Sequence, residues 1–222
     1  MYTLKASPYS SHSLLLRAFP REGSGRSVLD AGCGNGYLGE LLAARGYRVT
    51  GIERRGGYRE PFPASVHLIE ADLESGLPDL QRQFDYILCA DILEHLREPG
   101  VLLRQLHSVL RPGGALIASL PNSGNVYFRL NILAGRFPQD EKGLFDRTHL
   151  RFFVWQGWVD LLNDAGWTVQ HVEASGIPVG LAVSARWEHS PAIRAAERLC
   201  YALAKLRKTL FAYQFIVIAH AG

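Results

Sequence analysis

Residues 28–42 read VLDAGCGNGYLGELL. Val28 to Ala31 form a short apolar run interrupted by one carboxylate, Asp30, and Gly32, Gly34 and Gly36 then alternate with Cys33 and Asn35. Tyr37 to Leu42 follow with helical spacing. The order is that of a buried strand, a tight turn and a helix, because glycine tolerates backbone angles other residues avoid. Such a turn lets a ligand approach the backbone closely, and the helix N-terminus favours an anion. Alone, it suits a dinucleotide as well as other adenosyl cofactors.

Outward from this stretch, apolar runs alternate with amphipathic ones. SVLDA (27–31), YRVTGIE (47–53), VHLIEA (66–71), FDYILCA (84–90) and ALIASLP (115–121) read as buried strands, and WTVQHVEA (167–174) and YQFIVIAHA (213–221) as the last two. Helices are expected over 37–46, over 98–114, where Pro112 and two glycines give a stop, over 125–137 and over 154–167. Strand and helix in alternation imply an α/β fold, a mostly parallel sheet covered on both faces. A further helix over 191–211 places Ile193, Ala196, Leu199, Leu203, Leu206 and Leu210 on one face, expected to cover the sheet. Arg194, Arg198, Lys205, Arg207 and Lys208 make it basic, so peripheral contact with a membrane surface or a dimerising role is its alternative use.

The chain has 222 residues, which suits a single domain spanning 1–222, with a helical cap (1–26), a substrate-side insertion (122–154) and a helical insertion before the last strand (176–211). With 24 Lys and Arg against 21 Asp and Glu, the net charge is +3, too small a basic excess to favour nucleic acid. Cys33, Cys89 and Cys200 are far apart and form no CxxC pair, as in a reduced protein without zinc. The N-terminus lacks a leader pattern and no stretch is long enough to span a bilayer, so a cytoplasmic location is expected.

Carboxylates decide what the glycine turn holds. Asp30 precedes the turn, Glu53 ends the second strand and Asp72 follows the third, which puts three acids at the edge where open α/β sheets bind ligands. A carboxylate at the turn repels a pyrophosphate, whereas an ammonium, a sulfonium and a ribose diol match the set. That description fits S-adenosylmethionine. Each acid also has a purely structural reading, Asp30 as a helix cap and Asp72 as a turn residue.

VLDAGCGNG, GIE, EADL, FDYILCADILEHL and LRPGGALIASLPN, in that order and spacing, resemble the class I S-adenosylmethionine-dependent methyltransferases over roughly the first half of the chain. The resemblance implies a Rossmann-like doubly wound, seven-stranded sheet with an antiparallel last strand. It also implies that Gly32, Gly34 and Gly36 pack against the methionine part of the cofactor, that Glu53 holds the ribose hydroxyls, and that Asp72 with Leu73 holds the adenine. Asp30 orders the turn or faces the amino group. Tyr9 and His12, in SPYSSHSLLLRAF, are expected on a helix closing over the cofactor.

Methyl transfer is an in-line displacement, so an enzyme aligns the nucleophile, excludes water and, for a hydroxyl, helps remove its proton. In CADILEHL, Asp91, Glu94 and His95 share a face if a helical turn begins there, and LFDRTHLRFF (144–153) brings His149 beyond strand five. Asp91 and His149 are the candidate catalytic residues. D-x-x-E-H followed by T-H-x-x-F is similar to methyltransferases that bind a divalent ion through E-x-x-E-H and a later histidine, including ubiquinone-type O-methyltransferases. Carried over, Asp91, Glu94, His95 and His149 would be ligands, but Asp91 stands where that pattern has Glu and a shorter carboxylate reaches less far, so a divalent ion is not favoured and His149 as a metal-free general base is an equal alternative to it. The L-F-D-x-T-H-x-R-F-F string is similar to methyltransferases of polysaccharide and lipid-linked sugar pathways, and the PN segment to the methionine-biosynthesis protein W group. The first likeness implies O-methylation of a sugar, lipid-linked or other hydroxylated small molecule, with Arg129, Arg136, Arg147 and Arg151 as partners for an acidic group on it. The second permits a non-catalytic partner of a biosynthetic enzyme.

Overall fold

The strands are β1 Ser27–Ala31, β2 Arg48–Glu53, β3 Val66–Glu70, β4 Phe84–Ala90, β5 Leu110–Pro121, β6 Trp167–Ala174 and β7 Gln214–Ala221. They form one sheet in the order β3-β2-β1-β4-β5-β7-β6, in which β7 runs antiparallel to both neighbours and the other pairings are parallel. The computed structural model describes residues 7–182 and 190–222. Residues 1–6 of the expected cap and 183–189 of the expected last insertion lie outside the described residues.

The helices are α1 Ser11–Ala18, α2 Tyr37–Ala43, α3 Pro99–Ser108, α4 Val126–Leu133, α5 Trp155–Asp164, α6 Pro191–Leu206 and α7 Lys208–Phe211. Strand alternation assigns them to two faces. Val28, Val49, Leu88, Ile117 and Ile216 pack with Leu14 and Leu15 of α1 and Leu38 and Leu42 of α2. Their sequence neighbours Leu29, Ile87, Leu116 and Val217 pack with Leu103 and Leu106 of α3 and Trp158 and Leu162 of α5. Burying a side chain of this size contributes roughly 1.5–3 kcal/mol. Both buried indoles keep their N–H satisfied: Trp158 donates to the Pro121 carbonyl at 2.8 Å and Trp167 to that of Leu103 at 2.9 Å.

Strand order reverses at β1, because β2 and β3 lie on one side and β4 and β5 on the other. A sheet that switches direction this way leaves a crevice at the carboxyl ends of the two central strands. The loops after Ala31 and Ala90 open there.

Two expectations need correction. Residues 110–114 belong to β5 and not to the preceding helix, which ends at Ser108. The register runs from Phe84↔Leu110 to Tyr86↔Ala115, so the Arg111–Gly114 segment is bulged out of the ladder, with Gly113 at φ 76°. The last long helix breaks at Arg207, and its covering face is not the one expected. Ile193, Ala196, Leu203 and Leu210 are half-buried, but Leu199 and Leu206 are 61% and 81% exposed. Glu197 and Ala204 turn inward instead, because Glu197 accepts hydrogen bonds from Ser7 Oγ at 2.7 Å and Gly180 N–H at 3.0 Å.

Candidate active site

A cavity of about 540 Å³ occupies the crevice. That volume suits a small-molecule ligand. Its walls come from the β1 turn (Asp30, Gly32, Cys33, Gly34), the β2 end (Glu53), the segment after β3 (Asp72, Leu73), the β4 loop (Ala90, Asp91, Ile92, His95), His12 of α1, and Thr148.

The glycine turn is built by need. Gly32 has φ 77°, and a Cβ there would lie 2.8 Å from the Ile92 side chain. Gly34 has φ 52° and faces open space, and its N–H donates to Glu53 Oε2 at 2.9 Å, which ties the turn to β2. Glu53 Oε1 accepts from the Arg54 N–H at 2.9 Å. A carboxylate has about four acceptor positions, so Glu53 retains capacity for two hydroxyls. Gly36 is not among the described lining residues; its φ of 72° starts α2, and its missing Cβ makes room for Phe62.

Asp30 is almost sealed, 1% exposed, and neither carboxylate oxygen has a hydrogen-bond partner. Burial first, and the charge of Glu53 second, push its pKa up to about 7. An unbonded buried acid at a ligand-sized cavity is matched by a cation. Asp72 caps the short turn Leu73–Ser75 by accepting from the Glu74 N–H at 3.0 Å, and it also lines the cavity. Tyr9 is not among the lining residues. It stacks on Tyr201 of α6, centroids 4.8 Å apart, and its carbonyl accepts from the Gly176 N–H. Its neighbour His12 reaches the cavity.

On the other side, Asp91 does not share a face with Glu94 and His95. Its φ of 53° is left-handed, and the turn of Leu93–His95 begins after it. Ser119 holds it at both ends: Ser119 Oγ accepts the Asp91 N–H at 2.9 Å and donates back to Asp91 Oδ1, to which Gln214 Nε2 donates at 2.7 Å. Sequence reasoning missed Ser119 and Gln214. Their signal is a polar residue at the end of an otherwise apolar strand, which must find a partner when buried.

Glu94, His95 and His149 do converge, with one donor atom from each within 4.8 Å of the others. Asp91 is not part of this cluster. His149 Nε2 lies 3.8 Å from Glu94 Oε1, and its ring meets that of His95 edge to face at 4.8 Å. His149 is buried behind His95 and is not among the lining residues. Burial, then the neighbouring His95, lower its pKa to about 4, so it is neutral at neutral pH. The LFDRTHLRFF stretch is fastened to the cluster: Leu150 and Arg151 N–H donate to the Glu94 carbonyl. His95 Nδ1 lies 3.1 Å from both the Thr148 carbonyl and Thr148 Oγ1, and that hydroxyl donates to Asp146 Oδ1 at 2.6 Å. A carbonyl only accepts, so Nδ1 carries the proton of this contact. Arg147 and Arg151 are engaged locally, Arg147 3.9 Å from Glu141 and Arg151 with the Arg97 carbonyl and Glu98.

Comparison with known proteins bears on this geometry. The profile of a methyltransferase domain family matches residues 5–172. Ubiquinone biosynthesis O-methyltransferase of Pseudomonas putida is 32% identical over 123 residues, covering 51% of this chain and 52% of that protein. The Pseudomonas paraeruginosa protein of the same name is 34% identical over 108 residues, 45% and 46% of the two chains. The chain thus spans about half the length of the curated relatives it matches. Among solved structures, an S-adenosylmethionine-dependent methyltransferase from Archaeoglobus fulgidus superposes with TM-score 0.60 at 21% identity, covering 94% of this chain and 91% of that one. One from Mesorhizobium loti superposes with TM-score 0.61 at 19% identity, covering 95% and 97%. These likenesses carry the fold alone.

Proposed function

Since the chain belongs to the class I methyltransferase domain family, we propose that its cavity binds S-adenosylmethionine and that a methyl group passes to a hydroxyl of a small acceptor. The observation that carries this reading is the buried, unbonded Asp30 carboxylate beside Glu53 at the glycine turn. When bound, S-adenosylmethionine supplies an electrophilic methyl group on a sulfonium. Asp30 meets its ammonium across the turn that Gly32 and Gly34 keep open. Glu53 accepts from the ribose hydroxyls while holding the Gly34 N–H, and Asp72 with Leu73 borders the adenine. Ile92, close against Gly32, would help keep water from that part of the cavity when the cofactor is bound.

His95 stands on the acceptor side and, when neutral, has Nε2 unprotonated. It would take the proton of the incoming hydroxyl there and keep it as an imidazolium while Nδ1–H stays donated to Thr148, and the Asp146 carboxylate, which accepts from Thr148 Oγ1, favours that positive charge electrostatically. Asp91, pinned by Ser119 and Gln214, borders the same space. His149 serves this arrangement as the wall behind His95. Calorimetry with S-adenosylhomocysteine tests the reading: micromolar binding that weakens at least about tenfold in Asp30→Asn or Glu53→Gln is expected, and no binding overturns it.

The cluster of Glu94, His95 and His149 favours a second reading. Two imidazoles and a carboxylate are a donor set for a divalent transition ion, and each histidine donates its other ring N–H to main chain or hydroxyl, as metal ligands commonly do. Such an ion would lower the pKa of the acceptor hydroxyl. Calorimetric titration with manganese or zinc separates the readings: binding abolished by Glu94→Gln supports the ion, and absent binding leaves His95 as the base.

A further inference from the structure

We propose that α4 with Phe137 and Phe152 forms a docking face for an anionic lipid bilayer, so that the acceptor side of the cavity opens at the membrane surface. In α4, Leu130 is 59% exposed, Leu133 83%, and Tyr127 and Ile132 are also exposed, although a surface helix ordinarily turns such residues inward. Only Phe128 of the helix is buried. Phe128 stacks on Phe145 at 4.4 Å, and Phe137 and Phe152, both exposed, lie 5.3 Å apart and within about 6.1 Å of Phe128. The exposed apolar side chains of α4 thus surround a helix anchored through Phe128, and Phe137 and Phe152 extend the apolar surface on the anchored side.

Charge selects the occupant. Residues 122–137 contain Arg129 and Arg136, both exposed, and no acid. A second copy related by a twofold axis would set this face against itself and bring these arginines together. An anionic bilayer instead takes the leucines into its interface and the guanidinium groups to its headgroups. Among the described residues no helix is long and apolar enough to cross a membrane, so the contact lies in the surface plane. The patch adjoins the candidate site directly, because Phe152 meets His149 at 6.0 Å and Thr148 lines the cavity. If the methyl-transfer reading on which this step rests is right, the acceptor is an amphipathic molecule with its hydroxyl near the headgroup plane.

Co-sedimentation of the whole chain with phosphatidylglycerol vesicles and with phosphatidylcholine vesicles tests the face. Binding to the former, weakened by salt, little binding to the latter, and a loss of about tenfold or more in Leu130→Ser/Leu133→Ser are expected. Calorimetry with S-adenosylhomocysteine on the same variant should be unchanged, which shows that it is folded and tests the cofactor reading separately. The proposal is overturned if phosphatidylglycerol vesicles do not carry the protein down, if the variant binds them as the parent does, or if binding is lost only in Leu199→Ser/Leu206→Ser on α6. A dimer at working concentration that the α4 variant dissolves also overturns it, by assigning the patch to a second copy.

Discussion

Asp30 couples folding to pH through one proton, and under the proposed function it would couple ligand binding to pH as well. Its folded pKa, about 7, lies above its ordinary value of 3.8, so the folded state holds the proton more tightly than the unfolded chain. The stability this contributes is complete below about pH 4 and is lost as pH rises through 7. Urea denaturation at pH 5 and pH 8 should therefore show the parent losing stability with pH, by an amount of the order of a few kcal/mol, and Asp30→Asn losing much less. Equal slopes would mean that Asp30 is ionised throughout. Ligand binding should run the other way. A bound ammonium favours the carboxylate, so the affinity for S-adenosylhomocysteine rises between pH 6 and 8 in the parent, and this rise is flattened in Asp30→Asn. Asp30 was legible from its place before a glycine turn. The relative placement of His95 and His149 was not, because a left-handed Asp91 delays the following turn and sets His95 on the cavity wall. A single residue's backbone angle leaves no periodic trace.

At the scale of elements, the start of α4 and the end of α7 are joined by two buried amides. Asn122 Nδ2 donates to the carbonyls of Thr209 and Ala212 at 3.2 and 2.9 Å, and Asn125 Nδ2 donates to that of Ala212 at 2.8 Å. Each side-chain oxygen accepts a main-chain N–H two residues on, from Gly124 and Tyr127. Both side chains are fully buried, so each alanine substitution should cost about 1–3 kcal/mol in chemical denaturation. The two share the Ala212 carbonyl, so the double variant should lose less than the sum of the singles. Additive losses would show that the latches act separately. Strands and most helices were legible because period 2 and period 3.6 survive in the sequence. The start of β5 was hidden by Pro112, Gly113 and Gly114, which read as a helix stop but form a bulge. The orientation of α6 was hidden because a buried hydrogen-bonded glutamate, Glu197, outweighs two leucines.

For the whole molecule, the switch in strand order at β1 makes the cavity a meeting place of separate parts of the chain. The turn after β1, the ends of β2 and β3, and the β4 loop supply its floor, while α1 brings His12 from a segment tied to α6 by Ser7–Glu197 and Tyr9–Tyr201. This was the legible half of the site, since strand ends fall at one edge in any parallel sheet. The half proposed for the acceptor depends on how residues 122–154 fold back, which no local pattern encodes. A ligand contacting so many segments binds only the folded state and must stabilise all of them together. At a concentration of about a hundred times its dissociation constant, S-adenosylhomocysteine should add about 2.7 kcal/mol, which for a chain of this size raises the thermal midpoint by roughly 5–10 °C. Differential scanning calorimetry measures this shift, and amide exchange should slow in the β1 turn, the β4 loop and α1 together. The Asp30→Asn/Glu53→Gln double variant should lose most of both effects. A full shift in that variant would place the ligand away from the glycine turn, and protection confined to the β1 turn would mean that α1 does not close over it.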